Sequence, residues 1–184
     1  MSALAKLSPQ AYLEQERQSA LKHEYCNGEA FAMAGASPAH NPIMMNIGAA
    51  LHVQLKRRPC RVYPSDLRIL LADGHVYPDL TVVCGAPEFA EGDNLRNPTL
   101  ICEVLSQSTA DYDMGGEFAR YRQLPSLRDY LVVAQDRMAL MLYSRQDDRR
   151  WLLTDITDPQ TTLELPGIGC ALEVADVYDK VFEG

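Results

Sequence analysis

The chain has 184 residues, of which 47% are hydrophobic and 23% are charged. This composition is typical of a folded globular protein with one sizeable core, so we expect a single domain over residues 1–184. Seventeen basic and 25 acidic residues give a formal net charge of −8, which argues against a DNA-binding module of the basic-stripe kind. Two interpretations of the acidic excess remain: a solvated surface, or carboxylates gathered to hold divalent cations.

The first element predicted along the chain is a helix that starts at Ser8-Pro9, because serine caps helices and proline suits their first position. We expect it to run to about Ser19. Asn27-Gly28 then predicts a hairpin within residues 23–33. A second helix is expected to start at Asn41-Pro42, since the apolar residues that follow recur at helical spacing as far as residue 55.

From residue 60 the apolar residues alternate, which indicates strands. Asp73-Gly74 predicts a second hairpin whose later strand runs over residues 76–83, and in that register Arg68 lies opposite Asp79. Further strands are expected at 99–105, 129–133, 139–143, 151–155 and 162–165, with a loop at 84–98 and a helix after the polar residues 106–116. The predicted fold class is α+β, with a central mixed sheet flanked by helices.

The spacing of the cysteines and the composition of the N-terminus indicate the cellular compartment of the protein. The five cysteines contain no C-x-x-C pair, so we expect small buried thiols and no zinc site. The N-terminus lacks the apolar segment of a secretion signal. Residues 30–55 carry no formal charge, but proline, histidine and asparagine interrupt them, so no membrane span is expected. These features predict a cytoplasmic protein with reduced cysteines.

Two carboxylates inside apolar strands are the main chemical signal. Asp79 and Glu103 lie in strand-like segments, where an unpaired buried carboxylate costs several kcal/mol. An ion pair between Arg68 and Asp79 would explain Asp79 alone. It would not explain both carboxylates, which repel each other unless a cation such as Mg²⁺ lies between them.

The order of several motifs resembles a known family. Pro78-Asp79, 23 further residues and then Glu103-Val104-Leu105-Ser106 look like the core of PD-(D/E)XK nucleases. Over residues 7–181 the chain resembles the Uma-type family of putative restriction endonucleases. The other segments that carry this resemblance are His23–Glu29, Ala34–Asn41, Val62–Arg68, Tyr77–Asp79, Asp111–Asp113 and Tyr121–Leu127.

The resemblance implies a restriction-endonuclease-like core with an N-terminal helix and hairpin, and metal-dependent hydrolysis of DNA phosphodiester bonds. Asp79 and Glu103 match the family's metal ligands, and the Val104 carbonyl is a third candidate for Mg²⁺ or Mn²⁺. We expect a homodimer, because a two-fold protein matches the two strands of DNA. A local basic cluster at Lys56, Arg57, Arg58 and Arg61 keeps a nucleic-acid substrate compatible with the negative net charge.

One position departs from the family pattern. Leu105 occupies the place of the superfamily lysine, and the position to which Uma-type proteins move that lysine is Glu117 here. Three interpretations follow: Arg120 supplies the cation, Glu117 becomes an extra metal ligand, or the site does not cut. His40 either binds phosphate near the metal or serves as a helix-start or core histidine.

The sequence therefore predicts a DNA endonuclease weakened at residue 117. The alternative is a catalytically inactive protein of nuclease fold that binds nucleic acid or acts as a dimeric interaction module. Glu24 and Glu29, on either side of the first hairpin turn, are expected to be solvated, and Asp111 and Asp113 to cap a helix.

Overall fold

The structure is a computed structural model that describes residues 6–33, 35–105 and 116–182. Within these ranges the helices are α1 (Pro9–Glu16), α2 (His40–Leu55), α3 (Phe118–Tyr121) and α4 (Val174–Val177). The strands are β1 (His23–Cys26), β2 (Glu29–Ala32), β3 (Cys60–Pro64), β4 (Arg68–Leu71), β5 (Gly74–Val76), β6 (Leu80–Cys84), β7 (Phe89–Ala90), β8 (Asn94–Leu95), β9 (Leu100–Leu105), β10 (Asp129–Ala134), β11 (Leu140–Arg145), β12 (Trp151–Ile156), β13 (Thr162–Leu165) and β14 (Cys170–Glu173).

The strands form two six-stranded sheets and a ribbon. The first sheet has the order β2-β1-β5-β4-β8-β7, the second has the order β12-β11-β10-β9-β6-β3, and β13 pairs with β14. The pairs β4–β8 and β9–β10 are parallel, whereas the neighbouring pairs β1–β5 and β6–β9 are antiparallel. The fold is therefore α+β with mixed sheets, which confirms the predicted class.

The central strands of the second sheet, β9 and β10, are buried on both faces. On one face, the apolar side of α2 packs against β6, β9 and β10 through Ile43, Ile47, Leu51 and Leu55, and the β13–β14 ribbon and α4 complete that layer. On the other face, residues of the first sheet and of α3 cover β9 and β10. A strand buried on both faces reads as a continuous apolar run, as β9 does, so the carboxylate of Glu103 within it is conspicuous.

Local signals placed the N-terminal elements well. The Ser8 hydroxyl accepts a hydrogen bond from the Ala11 N–H at 3.1 Å and caps α1, although this helix ends at Glu16 rather than near Ser19. Asn27 and Gly28 both have positive φ, as the predicted two-residue turn between β1 and β2 requires. The second helix begins one residue before the predicted Asn41-Pro42 start, at His40.

The second hairpin has a different register from the predicted one. Gly74 pairs with Leu71, so Ala72 and Asp73 form the turn. A side chain at Gly74 would overlap the carbonyl of the neighbouring β1 strand, which explains why glycine lies in the strand here. The predicted strand over 76–83 is also two strands, because Pro78 lacks the N–H that a ladder needs.

This register removes the predicted Arg68–Asp79 ion pair. Arg68 lies beside Tyr77, and its Nη1 donates a hydrogen bond to the Tyr77 hydroxyl at 2.9 Å. Residues 77–79 carry the chain from the first sheet to the second, so Asp79 lies at the entry to β6. The ion pair is therefore wrong as an explanation of Asp79.

Two further expectations need correction, and a third is not tested. Cys60 and Cys84 face each other across β3 and β6 and are joined by a disulfide, so these two are not reduced thiols. The predicted loop at 84–98 contains the short pair β7–β8, and β14 and α4 were not predicted. The predicted caps Asp111 and Asp113, and most of the polar stretch from 106, lie outside the described residues. Among the helices that the structure describes, none is long and apolar enough to cross a membrane.

Candidate active site

Asp79 and Glu103 lie side by side where β6 pairs with β9. The register sets Leu80 opposite Cys102, which brings the preceding Asp79 opposite Glu103. The Asp79 N–H donates to Glu103 Oε2 at 3.2 Å, and the Val104 N–H donates to Asp79 Oδ2 at 2.8 Å. Each carboxylate is thus held by the backbone of the other strand, which orients both toward one small volume.

The pKa of Glu103 is strongly perturbed. This residue is only 9% exposed. Burial raises the pKa of Glu103 well above its ordinary value, and the negative charges of Glu117 and Asp79 raise it further. Hydrogen bonds from Tyr121 and from the Asp79 backbone oppose this rise without cancelling it. The site favours either a proton or a cation at Glu103.

Tyr121 joins Glu103 to Glu117. Its hydroxyl lies 2.8 Å from Glu103 Oε1 and 3.1 Å from Glu117 Oε1. A tyrosine has one hydroxyl proton, so both contacts can be hydrogen bonds only if one carboxyl carries a proton of its own. This geometry agrees with the raised pKa of Glu103.

His40 lies on the other side of Asp79. Its Nε2 is 3.0 Å from Asp79 Oδ2, a hydrogen bond when Nε2 carries the proton. The His40 N–H donates to the Ser37 hydroxyl at 3.1 Å, which fixes the start of α2. The sequence left two interpretations of His40, a residue near the metal or a helix-start histidine. The structure places His40 both beside the carboxylates and at the start of α2.

The two candidates for the missing lysine differ in position. Glu117 is 5% exposed and reaches Glu103 through Tyr121. Arg120 instead directs its Nε to Asp73, at 2.9 Å from Oδ2 and 3.2 Å from Oδ1, in the turn between β4 and β5. The structure therefore brings Glu117, rather than the Arg120 Nε, to the hydrogen-bonded group around Glu103.

Glu24 and Tyr121 belong to this group but were not predicted as site residues from the sequence. Glu24 was expected to be solvated, yet its Oε1 accepts the Tyr77 N–H at 3.3 Å, and its charge is among those that raise the pKa of Tyr121, after burial, Glu103 and Glu117. The spacing of Glu117 and Tyr121, one helical turn apart, was an available signal. No spacing signal connected Glu24, because it lies in the other sheet.

The donor set fits a hard divalent cation with few protein ligands. Among the described residues, no group of three or more His, Cys, Asp or Glu side chains is placed to hold one ion. The candidate ligands are thus two carboxylates, Asp79 and Glu103, with the Val104 carbonyl. Mg²⁺ binds in this way, through one or two carboxylates, with water and substrate phosphate completing its shell, whereas structural zinc needs four protein ligands.

A family model matches most of the chain. The sequence model of the Uma2 family, described as putative restriction endonuclease, matches residues 9–175. The chain belongs to the Uma2 family.

Relatives of this Uma2 chain match it over most of its length. The uncharacterized protein slr1290 of Synechocystis sp. (strain PCC 6803) is 35% identical over 175 residues, which cover 94% of this chain and 92% of the relative. The uncharacterized protein sll1609 of the same organism is 34% identical over 162 residues, covering 86% and 92%.

A solved structure shares the fold. The crystal structure of a putative nuclease belonging to DUF820 from Anabaena variabilis superposes with a TM-score of 0.69 at 15% identity, covering 89% of this chain and 93% of that chain. At this identity the likeness shows the fold alone, and it confirms the nuclease-like architecture expected of a Uma2 member.

Lys56, the first residue of the basic cluster of this Uma2 chain, lies far from His40. Lys56 caps the C-terminal end of α2, whereas His40 begins the same helix. At 1.5 Å per residue the 16-residue helix separates them by about 24 Å. At that distance Lys56 does not form the immediate wall of the carboxylate site.

Proposed function

We propose that this Uma2 protein is a Mg²⁺- or Mn²⁺-dependent DNA endonuclease that hydrolyses phosphodiester bonds and is weakened at residue 117. The observation that carries the proposal is the pair Asp79–Glu103 on adjacent strands, in which each carboxylate accepts a hydrogen bond from the backbone of the other strand. Two carboxylates held together in a largely buried site, with a raised pKa at Glu103, are a costly arrangement for structure alone.

In this proposal Asp79, Glu103 and the Val104 carbonyl hold the cation. The chemistry that a divalent cation supplies at such a site is stabilisation of charge on the phosphate and a lower pKa of bound water. The Val104 N–H and His40 Nε2 orient Asp79, and Tyr121 orients Glu103. Glu103 must release its proton to act as a ligand, so metal affinity should increase with pH.

Glu117 is the reason to expect weak cleavage. A cation beside the scissile phosphate stabilises the charge that develops in the transition state, and its loss costs roughly a hundredfold or more in rate. A carboxylate at residue 117 adds repulsion toward phosphate, and its place next to Tyr121 and Glu103 supports this role for the position. Arginine at residue 120 would be a poor proton carrier because it stays charged.

The test is cleavage of plasmid DNA by purified protein with Mg²⁺ or Mn²⁺. We expect slow or undetectable cleavage by the natural protein and a gain of roughly a hundredfold in Glu117→Lys. The double variant Asp79→Ala/Glu117→Lys should be inactive, which excludes a contaminating nuclease. Glu29→Lys, the same charge change on exposed β2, is the matched control and should gain nothing.

Two outcomes would contradict parts of this proposal. Robust cleavage by the natural protein that Arg120→Ala abolishes would assign the cation role to Arg120. If Glu117→Lys still binds metal and DNA but does not cut, the defect lies elsewhere in the site, and a nuclease role for the natural chain loses its support.

A second candidate function is an inactive member that binds nucleic acid or acts as a dimeric interaction module. It is favoured by the buried Glu117 and by the position of Lys56, about 24 Å along α2 from His40. Anisotropy of a labelled duplex should then show salt-dependent binding that Arg57→Glu/Arg61→Glu weakens and Asp79→Ala leaves unchanged. If the protein does not bind the duplex, the dimeric interaction module is the remaining form of this second candidate. A cytoplasmic location and a homodimer remain parts of both proposals.

A further inference from the structure

Among the described residues, no strand pairs with the outer edge of β12, which carries exposed apolar side chains. β12 is the terminal strand of the second sheet, and its inner edge pairs with β11 from Trp151 to Ile156. Leu152 is 56% exposed and Leu153 is 49% exposed. Because consecutive residues of a strand point to opposite faces, the two leucines put apolar surface on both faces of this edge.

The other sheet edges are protected by familiar devices. β3, at the opposite end of the second sheet, carries the exposed Arg61 and Pro64 and is tied to β6 by the Cys60–Cys84 disulfide. In the first sheet, the edge strand β2 has four residues and β7 has two. Charge, proline and shortness are the features that keep sheet edges from pairing. β12, with six residues and no proline, is the least protected of these edges.

We propose that a second copy of this chain pairs with β12, antiparallel and about a two-fold axis perpendicular to the sheet. Such an axis pairs residues whose side chains point to the same face of the sheet. In each allowed register one residue therefore lies opposite its own equivalent in the other copy, and we call this the residue on the axis. With Leu152 on the axis, the two Leu152 side chains face each other and Trp151 of each copy faces Leu153 of the other.

Charge complementarity selects this register. With Leu152 on the axis, Arg149 in the turn before β12 comes beside Asp155 of the other copy. The two-fold axis makes two such pairs in the dimer. Both residues are exposed, and neither has an ion pair within the described part of the chain. Opposite charges and aromatic–aliphatic pairs are favourable cross-strand neighbours.

The adjacent registers are less favourable. With Leu153 on the axis, Trp151 faces Asp155 and Arg150 faces Ile156. With Trp151 on the axis, Leu152 faces Arg150 and Leu153 lies beside the turn residue Arg149, so neither leucine has an apolar partner. The Leu152 register is the one that pairs apolar with apolar and acid with base.

The geometry also predicts where assembly stops and how tight it is. Joining two second sheets at β12 leaves a β3 edge at each end, and those edges are protected, so the assembly closes at two copies. A six-residue edge buries less than the standard interface of about 1,600 Å². We therefore expect a dimer that dissociates in the micromolar range.

Cysteine cross-linking tests the register directly. Leu152→Cys should form a covalent dimer on mild oxidation, because each new thiol faces its own equivalent across the axis. Leu153→Cys should cross-link much less, since its opposite residue is Trp151. Val53→Cys, on the exposed side of α2 and 72% exposed, is the matched control and should stay at the wild-type level. Equal cross-linking of all three variants would overturn the proposal.

Charge reversal and sedimentation provide the second test. A concentration series should show a monomer–dimer equilibrium for the natural protein, and Leu152→Lys should raise its dissociation constant at least tenfold while Val53→Lys does not. Arg149→Asp should weaken the dimer, and Arg149→Asp/Asp155→Arg should restore it. A strictly monomeric natural protein, or a dimer that Leu152→Lys leaves intact, would disprove pairing at β12.

Discussion

In the part of the chain that the structure describes, the cluster around Arg68 and the cluster around Glu103 balance charge in opposite ways. In the Arg68 cluster, the 4%-exposed Arg68 donates to Asn94 Oδ1 at 2.5 Å, to the Tyr77 hydroxyl at 2.9 Å and to Asp93 Oδ2 at 2.7 Å. Tyr77 in turn donates to Glu16 at 3.0 Å. In this cluster a cation lies among its acceptors.

The acidic cluster gathers carboxylates around one hydroxyl. Its members are Asp79, Glu103, Glu117, Glu24 and Tyr121, with His40 at its margin. The pKa shifts of one carboxyl in each cluster show this difference in charge balance. Burial would raise the pKa of Asp93, but hydrogen bonds and charge from Arg17 and Arg68 outweigh burial and lower it. Burial and neighbouring acids raise the pKa of Glu103.

A buried network that satisfies its own charges contributes to the fold, whereas one with excess charge of a single sign needs a proton or a ligand. We therefore expect changes in the Arg68 cluster to reduce stability. Changes in the acidic cluster should alter metal response and activity more than stability.

The largest expected effect on stability is that of Arg68→Met, which removes the donor to the buried Asn94 Oδ1 and to the Tyr77 hydroxyl, whereas Asp93 keeps its ion pair with Arg17. A buried polar group left without its partner costs about 1–3 kcal/mol, so the two together should cost about 2–6 kcal/mol. Urea denaturation should show a loss of this size, whereas Asp79→Asn in the acidic cluster should change stability by less than about 1 kcal/mol without metal. Equal losses in the two variants would mean that both clusters are structural.

The next effect is acid sensitivity at His75, whose ring lies against Tyr12 and Tyr25 beside the Arg68 cluster. Burial lowers the pKa of His75 to about 4, and the charge of Arg68 contributes. The unfolded chain then binds more protons between pH 6.5 and 4, so stability decreases as pH decreases through that window, by about 3 kcal/mol.

His75→Phe should remove this part of the pH dependence in urea titrations at pH 4 and pH 7. His52→Phe, a histidine on the exposed side of α2, is the control. The same slope in His75→Phe and the natural protein would show that His75 is not the group responsible.

Metal binding should stabilise the protein through the acidic cluster. At a Mg²⁺ concentration a hundredfold above the dissociation constant, mass action contributes about 2.7 kcal/mol. Melting temperature should therefore increase with Mg²⁺ or Mn²⁺ in the natural protein but not in Asp79→Asn. A shift of equal size in both proteins would place the ion elsewhere.

The smallest expected effect is relief of repulsion in Glu117→Gln. Without Glu117, the raised pKa of Glu103 should move back toward its ordinary value. A carboxyl with a raised pKa makes the folded state bind more protons than the unfolded state, so stability decreases as pH increases above 4.5. Glu117→Gln should flatten that decrease and add about 1 kcal/mol at neutral pH without metal, whereas Glu29→Gln on exposed β2 should not.

Sequence reasoning succeeded where local chemistry decides structure. Ser8 caps α1, Asn27-Gly28 turns between β1 and β2, and the apolar run that became β9 was placed almost to the residue, because each depends on neighbours in the chain. The carboxylates Asp79 and Glu103 could be singled out for the same reason: acids inside apolar strands are costly wherever the strands lie.

The register of the second hairpin could not be read in this way. Asp73-Gly74 is a strong turn signal, but Gly74 is needed in the strand because β1 lies too close for a side chain there. That constraint comes from a strand about 50 residues earlier in the chain. The same limit explains the missed disulfide, since Cys60 and Cys84 meet only through the pairing of β3 with β6.

The amino-acid sequence by itself determined the class of the fold, the family and the two carboxylates that we propose as metal ligands, because periodicity, turn residues and misplaced charge are local properties. The tertiary structure alone decided which groups surround those carboxylates. It brought Glu24 from the other sheet, set Glu117 against Tyr121 and directed the Arg120 Nε to Asp73. Electrostatic environment depends on distances between segments remote in the chain, and only the packed sheets establish those distances.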